Sequence, residues 1–225
     1  MSLSYMENIL NFLSDLKANN NRDWFNTNKD RYLEVKSLHA EFLDKVIHGV
    51  AAFDREIQLL PAAECTFRIY RDVRFAKNKD PYKINMGAVI RRGGRKSNYA
   101  GYYLHLEPGA TFAGGGQFMP APEVLRAIRY EIYNFPQDFQ NILSHPDFVK
   151  TFGALQEKDK LKRPPKDFPA DAPMIEHLKF KSFTAGKSFT DEQVRNDTFL
   201  HDVINTFKAI QPLLRFLNRS TDFTS

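Results

Sequence analysis

Residues 98–118, NYAGYYLHLEPGATFAGGGQF, contain the pattern that decides the fold. Apolar side chains alternate with other residues up to Pro108-Gly109, and a second run of small and apolar residues follows that pair. A Pro-Gly pair is typical of a tight turn, and strands joined by a tight turn pair in antiparallel fashion. The sequence therefore predicts an antiparallel hairpin with strands at 98–107 and 110–118.

Further helices and strands are predicted on both sides of this hairpin. Apolar residues at helical spacing indicate a first helix that ends at the asparagine run 19–21, then a helical stripe over 24–50. A later helix starts at Pro122, and Asp191 caps the last one. Helices, then strands, then helices indicate an α+β fold with an antiparallel β-sheet meander packed against N-terminal and C-terminal helices. The other predicted elements are strands at 65–71, 84–92 and 178–184 and helices at 136–143 and 146–156.

The 225-residue chain has an ordinary globular composition, with 42% hydrophobic and 26% charged residues. We expect a single domain over residues 4–220, with a weak candidate boundary in the proline-rich connection 158–173. The one cysteine, Cys65, excludes an intrachain disulfide, and no long apolar run or signal-peptide pattern is present. A cytoplasmic location without a membrane partner is therefore expected. Neither zinc-ligand spacing nor a dinucleotide motif is found, so no metal and no cofactor are predicted.

Positive charge is concentrated between Arg68 and Lys96. Ten of these 29 residues are Arg or Lys and only Asp72 and Asp80 oppose them, which gives a local charge of +8 (10 − 2). The whole chain carries +5, so the remaining residues sum to −3 (5 − 8). Concentrated charge creates a local field that recruits anions, and the sequence therefore predicts an anion site in this segment.

Residues 67–75 are consistent with a strand that has two different faces. Successive side chains of a strand point to opposite faces, so one row is polar and the other is apolar except for Arg71. An unpartnered guanidinium in an apolar row is costly. We therefore expect either a carboxylate or ligand partner for Arg71 or a β-bulge near Asp72. The polar row is Arg68, Tyr70, Asp72 and Arg74, and the other row is Phe67, Ile69, Arg71, Val73 and Phe75.

The sequence Asn78-Lys79-Asp80-Pro81 is typical of a turn, which returns the nearby lysines toward the strand. Arginine offers a planar fork for phosphate or carboxylate, whereas lysine offers a mobile point charge. This combination suits a multiply charged anion, and a tyrosine adds a hydrogen-bonding hydroxyl. The predicted ligand-binding residues are Arg68, Arg71, Asp72, Arg74, Lys77, Lys79, Tyr82 and Lys83.

Two residues are candidates for proton transfer, His105 and Asp72. In the strand at 98–107, His105 shares a face with Glu107, and imidazole titrates near neutral pH. If that face adjoins the polar row at 68–74, His105 becomes the better acid–base candidate. The simpler interpretation is a half-buried histidine satisfied by Glu107, and whether the protein is an enzyme stays open.

The chain resembles a widespread uncharacterised bacterial family with fungal members. Its hallmark is an Arg-x-x-Arg-Asp-x-Arg-Phe stretch, then an Asn/Asp-Lys pair and a Tyr. The resemblance covers nearly the whole chain and implies a domain of unknown function, so it names no activity. The matching residues are Arg68, Arg71, Asp72, Arg74, Phe75, Asn78, Lys79 and Tyr82, with Asn20 to Phe25, Lys29 and Tyr32 before them and Gly114 to Gly116, Pro120 and Arg129 after them.

Three interpretations of the basic segment remain open at this level. The first is a site for a small anionic ligand, with phosphorylated compounds included in that class. The second is a nucleic-acid-binding module, in which the basic loop 91–96 contacts phosphates and Tyr99, Tyr102 and Tyr103 stack on bases. The third is an internal network of Arg and Asp ion pairs that orders the sheet. The glycine run 114–116 has two interpretations, a phosphate-binding turn or a close crossing of two backbones.

Overall fold

The computed structural model describes residues 4–57, 60–157 and 159–222. It has the predicted α+β fold, with an antiparallel four-stranded sheet in the middle of the chain and helices before and after it. The described helices are α1 (Ser4–Ala18), α2 (Arg22–Thr27), α3 (Lys29–Ala51), α4 (Ala62–Cys65), α5 (Pro122–Asn134), α6 (Pro136–Ser144), α7 (Pro146–Phe152), α8 (Ile175–Leu178), α9 (Asp191–Arg195) and α10 (Phe199–Thr221), with a 3₁₀ turn at Arg55–Ile57.

The four strands are neighbours in chain order. Three predicted strands are confirmed with slightly shorter bounds, including the two of the hairpin around Pro108-Gly109. The prediction of a strand at 178–184 is wrong in its first half, because α8 and a turn occupy the residues before Phe183. The strands are β1 (Met86–Ile90), β2 (Gly101–Leu106), β3 (Phe112–Gln117) and β4 (Phe183–Ser188).

Side-chain caps explain where several helices begin. The Asn21 side chain accepts a hydrogen bond from the Trp24 amide at 2.9 Å, and the predicted stripe over 24–50 is interrupted at Asn28, between α2 and α3. The prediction that Asp191 caps the last helix is wrong. Thr190 caps α9 through a capping box with Gln193, and α10 begins separately at Phe199. The predicted helix at 146–156 ends earlier, at Phe152.

The chain divides into two compact units. The first unit consists of the described residues of 1–90, 103–113 and 188–205, and its core includes the Phe42 ring stacked on Phe199 with centroids 5.5 Å apart. The second unit consists of the described residues of 91–102, 114–187 and 206–225, and Phe139 lies 5.2 Å from Phe216 in its core. The proline-rich connection belongs to the second unit. A single domain over 4–220 stays a prediction.

The glycine run lies inside β3, where the neighbouring backbones approach closely. A Cβ atom on Gly114 would lie 2.1 Å from the Ala185 carbonyl oxygen. A Cβ atom on Gly116 would lie 1.9 Å from the Phe183 carbonyl oxygen, and Gly116 has a φ of +127°. Both β4 contacts forbid a side chain, so the close-crossing interpretation of this run is the one that the structure supports.

Gly116→Ala tests this close crossing. We expect the free energy of unfolding to fall by at least about 3 kcal/mol, because a methyl group adds backbone strain and overlaps β4. Gly153→Ala is the matched control, since Gly153 also has a positive φ of +72° but open space around it, and it should cost less than Gly116→Ala, about 1 to 3 kcal/mol from backbone strain alone. Urea denaturation measures both variants, and equal losses would contradict the overlap.

His39 is a buried histidine on α3 with only 2% of its surface exposed. Its Nε2 atom has no hydrogen-bond partner among the described residues. Burial lowers the pKa of His39 from 6.5 to about 4, because the apolar surroundings disfavour the charged ring. The imidazole is therefore neutral in the folded protein at neutral pH.

The pKa of His39 predicts an acid-sensitive stability. Between pH 6.5 and about pH 4 the unfolded chain binds a proton that the folded chain does not, so the free energy of unfolding falls as the pH drops through this window. The full loss is about 3 kcal/mol. His39→Leu removes this dependence while leaving the other titrating groups in place. Denaturation from pH 7 to pH 4 should therefore show the wild type losing more stability than His39→Leu as the pH falls, and parallel curves would contradict the prediction.

Candidate anion-binding site

Residues 66–83, here called the basic segment, form an irregular hairpin in the first unit. Two isolated antiparallel bridges hold it, Thr66 to Ala88 and Tyr70 to Tyr82. The Lys83 amide also donates to the Ile69 carbonyl at 2.7 Å. The prediction of a regular strand at 65–71 is wrong, because α4 includes its first residue and only scattered bonds follow. The chain from 72 to 80, here called the basic loop, has no strand partner.

The alternation predicted for 67–75 holds only in its polar row. Arg68, Tyr70, Asp72 and Arg74 are all exposed, as that prediction requires. In the other row Ile69 is buried, but Phe75 is 96% exposed. The reason is local: past Arg71 no ladder of backbone bonds keeps the residues in register, so side chains of the basic loop no longer alternate between core and solvent.

Arg71 has no carboxylate partner among the described residues and no strand ladder beyond it for a β-bulge to interrupt, so these two expectations are wrong, while a ligand partner stays a prediction for Arg71. Its side chain is half-buried, and Nη1 donates to the Asp80 carbonyl oxygen at 3.1 Å. Its amide donates to the Pro81 carbonyl at 2.9 Å. Arg71 therefore closes the base of the basic loop by contacts to backbone oxygens, and its guanidinium has a partner without a carboxylate.

Arg74 and Asp72 form a bidentate ion pair at the surface. Nε of Arg74 lies 3.0 Å from Oδ1 of Asp72, and Nη2 lies 2.6 Å from Oδ2. The side chains are 76% and 48% exposed. These hydrogen bonds from Arg74 lower the pKa of Asp72, and the charge of Arg68 lowers it further. Asp72 is thus a carboxylate near neutral pH and a weak proton acceptor, which suits it to orienting Arg74.

The basic loop is ordered by its own polar side chains. The Asp80 amide donates to Oδ1 of Asn78 at 2.8 Å, and Nδ2 of Asn78 donates back to Oδ2 of Asp80 at 2.7 Å. Nζ of Lys79 donates to the Val73 carbonyl at 3.0 Å. Lys77 is exposed and has no ion pair or hydrogen bond among the described residues. The loop therefore has a defined backbone and still presents cations to solvent.

Tyr82 and Lys83 differ in their surroundings from these exposed cations. Tyr82 is buried, and its ring stacks on Phe25 with centroids 3.9 Å apart and planes 14° apart. Burial raises the pKa of Tyr82. Lys83 is half-buried, with its ammonium 5.4 Å from the centre of the Phe67 ring. Of the eight predicted ligand-binding residues, Tyr82 is the one that is buried in the core.

An asparagine in the turn before α2 holds the basic segment at Tyr82. Oδ1 of the Asn20 side chain accepts a hydrogen bond from the Tyr82 backbone amide at 3.1 Å, and Nδ2 of the same side chain donates to the Tyr82 backbone carbonyl at 3.0 Å. The side chain thus pairs with the backbone as a strand would. No local sequence pattern predicts this contact, since 62 residues separate the partners. The shared family signature was the only signal that linked the two stretches.

His105 is satisfied through both ring nitrogens, as the simpler interpretation expects. Nδ1 lies 3.1 Å from the Tyr103 hydroxyl, and Nε2 lies 2.9 Å from Oε2 of Glu107. The His105 ring also stacks on Phe112 at 4.9 Å. Tyr103 belongs to the same row, because it precedes His105 by two residues and successive side chains of a strand alternate between its faces. The row meets the basic segment at Phe67, whose ring lies 6.5 Å from that of Tyr103.

In the second unit, Arg91 and Arg92 of the loop 91–96 bind partners within the protein. Arg91 donates to the Gly94 and Arg95 carbonyls of its own loop and, at 3.0 Å, to the Tyr99 carbonyl beyond it. Nη1 of Arg92 lies 2.8 Å from a carboxylate oxygen of Asp222. The expectation that Tyr102 stacks on bases is wrong, because only 1% of its surface is exposed. Of the two basic stretches, residues 66–83 therefore present more accessible charge.

These features define an α+β protein whose first unit presents an ordered, cationic loop. The model of the conserved hypothetical protein family DUF2461 matches residues 8–216, and the chain belongs to this family. No curated protein and no solved structure matches the chain.

No described helix has the length and apolar character to cross a membrane. Within residues 4–57, 60–157 and 159–222, no three His, Cys, Asp or Glu side chains group as metal ligands.

Asn20→Ala tests the attachment of the basic segment. We expect a loss of about 2 kcal/mol in the free energy of unfolding, because two hydrogen bonds disappear and the backbone groups of Tyr82 lose their partners. The Tyr82 amide should also exchange with deuterium faster. Asn26→Ala is the control, since Asn26 is an exposed asparagine of α2. An Asn20 variant as stable and as protected as this control would contradict the attachment.

Proposed function

We propose that the protein binds an anionic ligand through the basic segment. The observation that carries the proposal is the excess of exposed positive charge in an ordered loop. The segment holds six Arg or Lys and two Asp, a charge of +4 (6 − 2). The Asp80 carboxylate accepts a hydrogen bond from Asn78, and among the described residues of this loop only Asp72 forms an ion pair with a cation. The remaining charge favours an external anion.

The ion-pair alternative has less support from the geometry. The pair of Arg74 and Asp72 is exposed, and exposed pairs contribute little to stability. A network of this kind needs acidic partners, and the N-terminal helices carry Asp23 and Glu34. In the part of the chain that the structure describes, neither forms an ion pair with the basic segment. A network that orders the sheet needs such partners, whereas a binding surface needs exposed donors.

The chemistry of the segment suits phosphate or carboxylate groups. Arg74, whose guanidinium is oriented by Asp72, offers a planar donor to two oxygens, and Lys77 and Lys79 add point charges. Arg68 adds a second exposed guanidinium on the same segment. The proposal assigns binding and no reaction. We place this function in the cytoplasm, in keeping with a chain whose one cysteine is buried.

Arg74→Ala tests this proposal, with tripolyphosphate, citrate and ATP as probes in calorimetric titrations. We expect affinity for the bound probe to fall at least about tenfold, because a charge-assisted bidentate contact is lost. The melting temperature without probe should stay the same, because the ion pair lies at the surface. Arg215→Ala is the control, since Arg215 is an exposed arginine of α10 outside the segment.

If Arg74→Ala lowers the melting temperature strongly and changes no affinity, the Arg and Asp residues are structural. If Arg74→Ala and Arg215→Ala weaken binding equally, the anion responds to net charge and the basic segment is no site.

A further inference from the structure

Phe75 at the tip of the basic loop identifies the kind of anion. Its side chain is 96% exposed, the largest exposed fraction among the large hydrophobic residues that the structure describes. Scattered exposed apolar residues are normal at protein surfaces. What distinguishes Phe75 is its charged neighbourhood, because the Arg74 guanidinium lies 5.9 Å from the centre of its ring and Lys77 is exposed two residues later. We propose that the ligand is single-stranded nucleic acid, with Phe75 stacking on a base and the surrounding cations contacting phosphates.

This inference rests on the proposed anion-binding function and specifies its ligand class. Proteins that bind single strands combine a positively charged track with aromatic side chains on which bases stack. The basic loop supplies both within six residues, from Arg74 to Lys79. A small ligand is bound differently, in a concave site that covers most of its surface. A tip residue with 96% exposure offers no such enclosure, whereas a strand can lie across it.

The loop is also ordered before any ligand arrives. Arg71 bonds to the Asp80 carbonyl at its base, Lys79 bonds to the Val73 carbonyl across it, and Asn78 exchanges hydrogen bonds with Asp80. These contacts hold the backbone that carries Phe75. An aromatic side chain on an ordered loop loses little conformational freedom when it binds, because only two side-chain torsions remain to be fixed.

A lipid surface is the competing polyanion, and the apolar side of the loop argues against it. Membrane attachment depends on buried apolar area together with attraction to anionic headgroups. The other apolar residues of the loop, Val73 and Ala76, are partly buried, so Phe75 alone is available for insertion. A single ring matches the stacking of a single base better than it matches the anchoring of a protein to a bilayer.

The test measures binding of the full chain to fluorescent oligo-dT, to an abasic oligomer of the same length, to inorganic polyphosphate and to phosphatidylserine vesicles. For the wild type we expect tighter binding to oligo-dT than to the abasic oligomer. Its affinity for oligo-dT should fall with salt along a log–log slope of about −2 to −3, from three or four phosphate contacts. Phe75→Ala should bind oligo-dT roughly tenfold more weakly with an unchanged slope. Lys77→Ala should make the slope shallower by about 0.7.

Two controls separate stacking from charge. Phe118→Ala removes an exposed phenylalanine of the second unit and should bind oligo-dT as the wild type does. The wild type and Phe75→Ala should bind the abasic oligomer equally, because it has no base to stack. Both phenylalanines are exposed, so neither variant is expected to lose its fold.

Several outcomes would overturn the inference and leave the proposed function distinguishable from it. Equal binding of oligo-dT and the abasic oligomer by the wild type, or no effect of Phe75→Ala, rejects nucleic-acid stacking. If polyphosphate binding is then still lost in Arg74→Ala, the anion-binding proposal stands. Vesicle binding that depends on Phe75, without oligo-dT binding, assigns the loop to a lipid surface. Binding to none of the probes rejects both proposals.

Discussion

The contact between Asn20 and the backbone of Tyr82 is the constraint on which the basic segment depends. A stretch with only two isolated bridges has few backbone hydrogen bonds of its own, and the groups at Tyr82 would otherwise face a core without partners. The asparagine amide satisfies both of them, and the stack of Phe25 on the Tyr82 ring adds apolar burial at the same point. One turn of the N-terminal helical region thus substitutes for a neighbouring strand.

In the basic loop, too, hydrogen bonds from side chains take the place of a ladder of backbone hydrogen bonds. Arg71 and Lys79 direct their charged groups to carbonyl oxygens, which satisfies acceptors without consuming positive charge. A carboxylate partner would have ordered the loop equally well but cancelled the charge. Among the described residues of the loop, only Asp72 pairs its carboxylate with a cation. Its bonds to Arg74 orient the guanidinium at the surface. The loop therefore remains cationic because of how it is ordered.

Sequence patterns predicted what depends on local periodicity and missed what depends on distant partners. Alternation and the Pro108-Gly109 turn were sufficient for β2 and β3, because a hairpin is specified by its own residues. The strand at 65–71 failed because pairing with 81–88 is interrupted, which composition does not reveal. Tyr82 looked like a ligand contact because a tyrosine among lysines is ambiguous until Phe25 is known to cover it. The sequence pattern placed Phe75 in the apolar row of a strand, and nothing in that pattern indicated that its side chain is exposed.

The first unit has two clusters of polar residues, the row around His105 and the basic loop. They differ in whether their hydrogen-bonding atoms already have partners within the protein. In the row on β2, both nitrogens of His105 already have partners, and Glu107 accepts one of those hydrogen bonds. A substrate there must displace an existing bond before a proton moves, which raises the cost of using His105 as an acid or base. At the basic loop, Lys77 and Arg68 keep exposed donors, and Arg74 is held in place by a single partner. Binding at the loop requires no such displacement, and this difference supports ligand recognition over proton transfer.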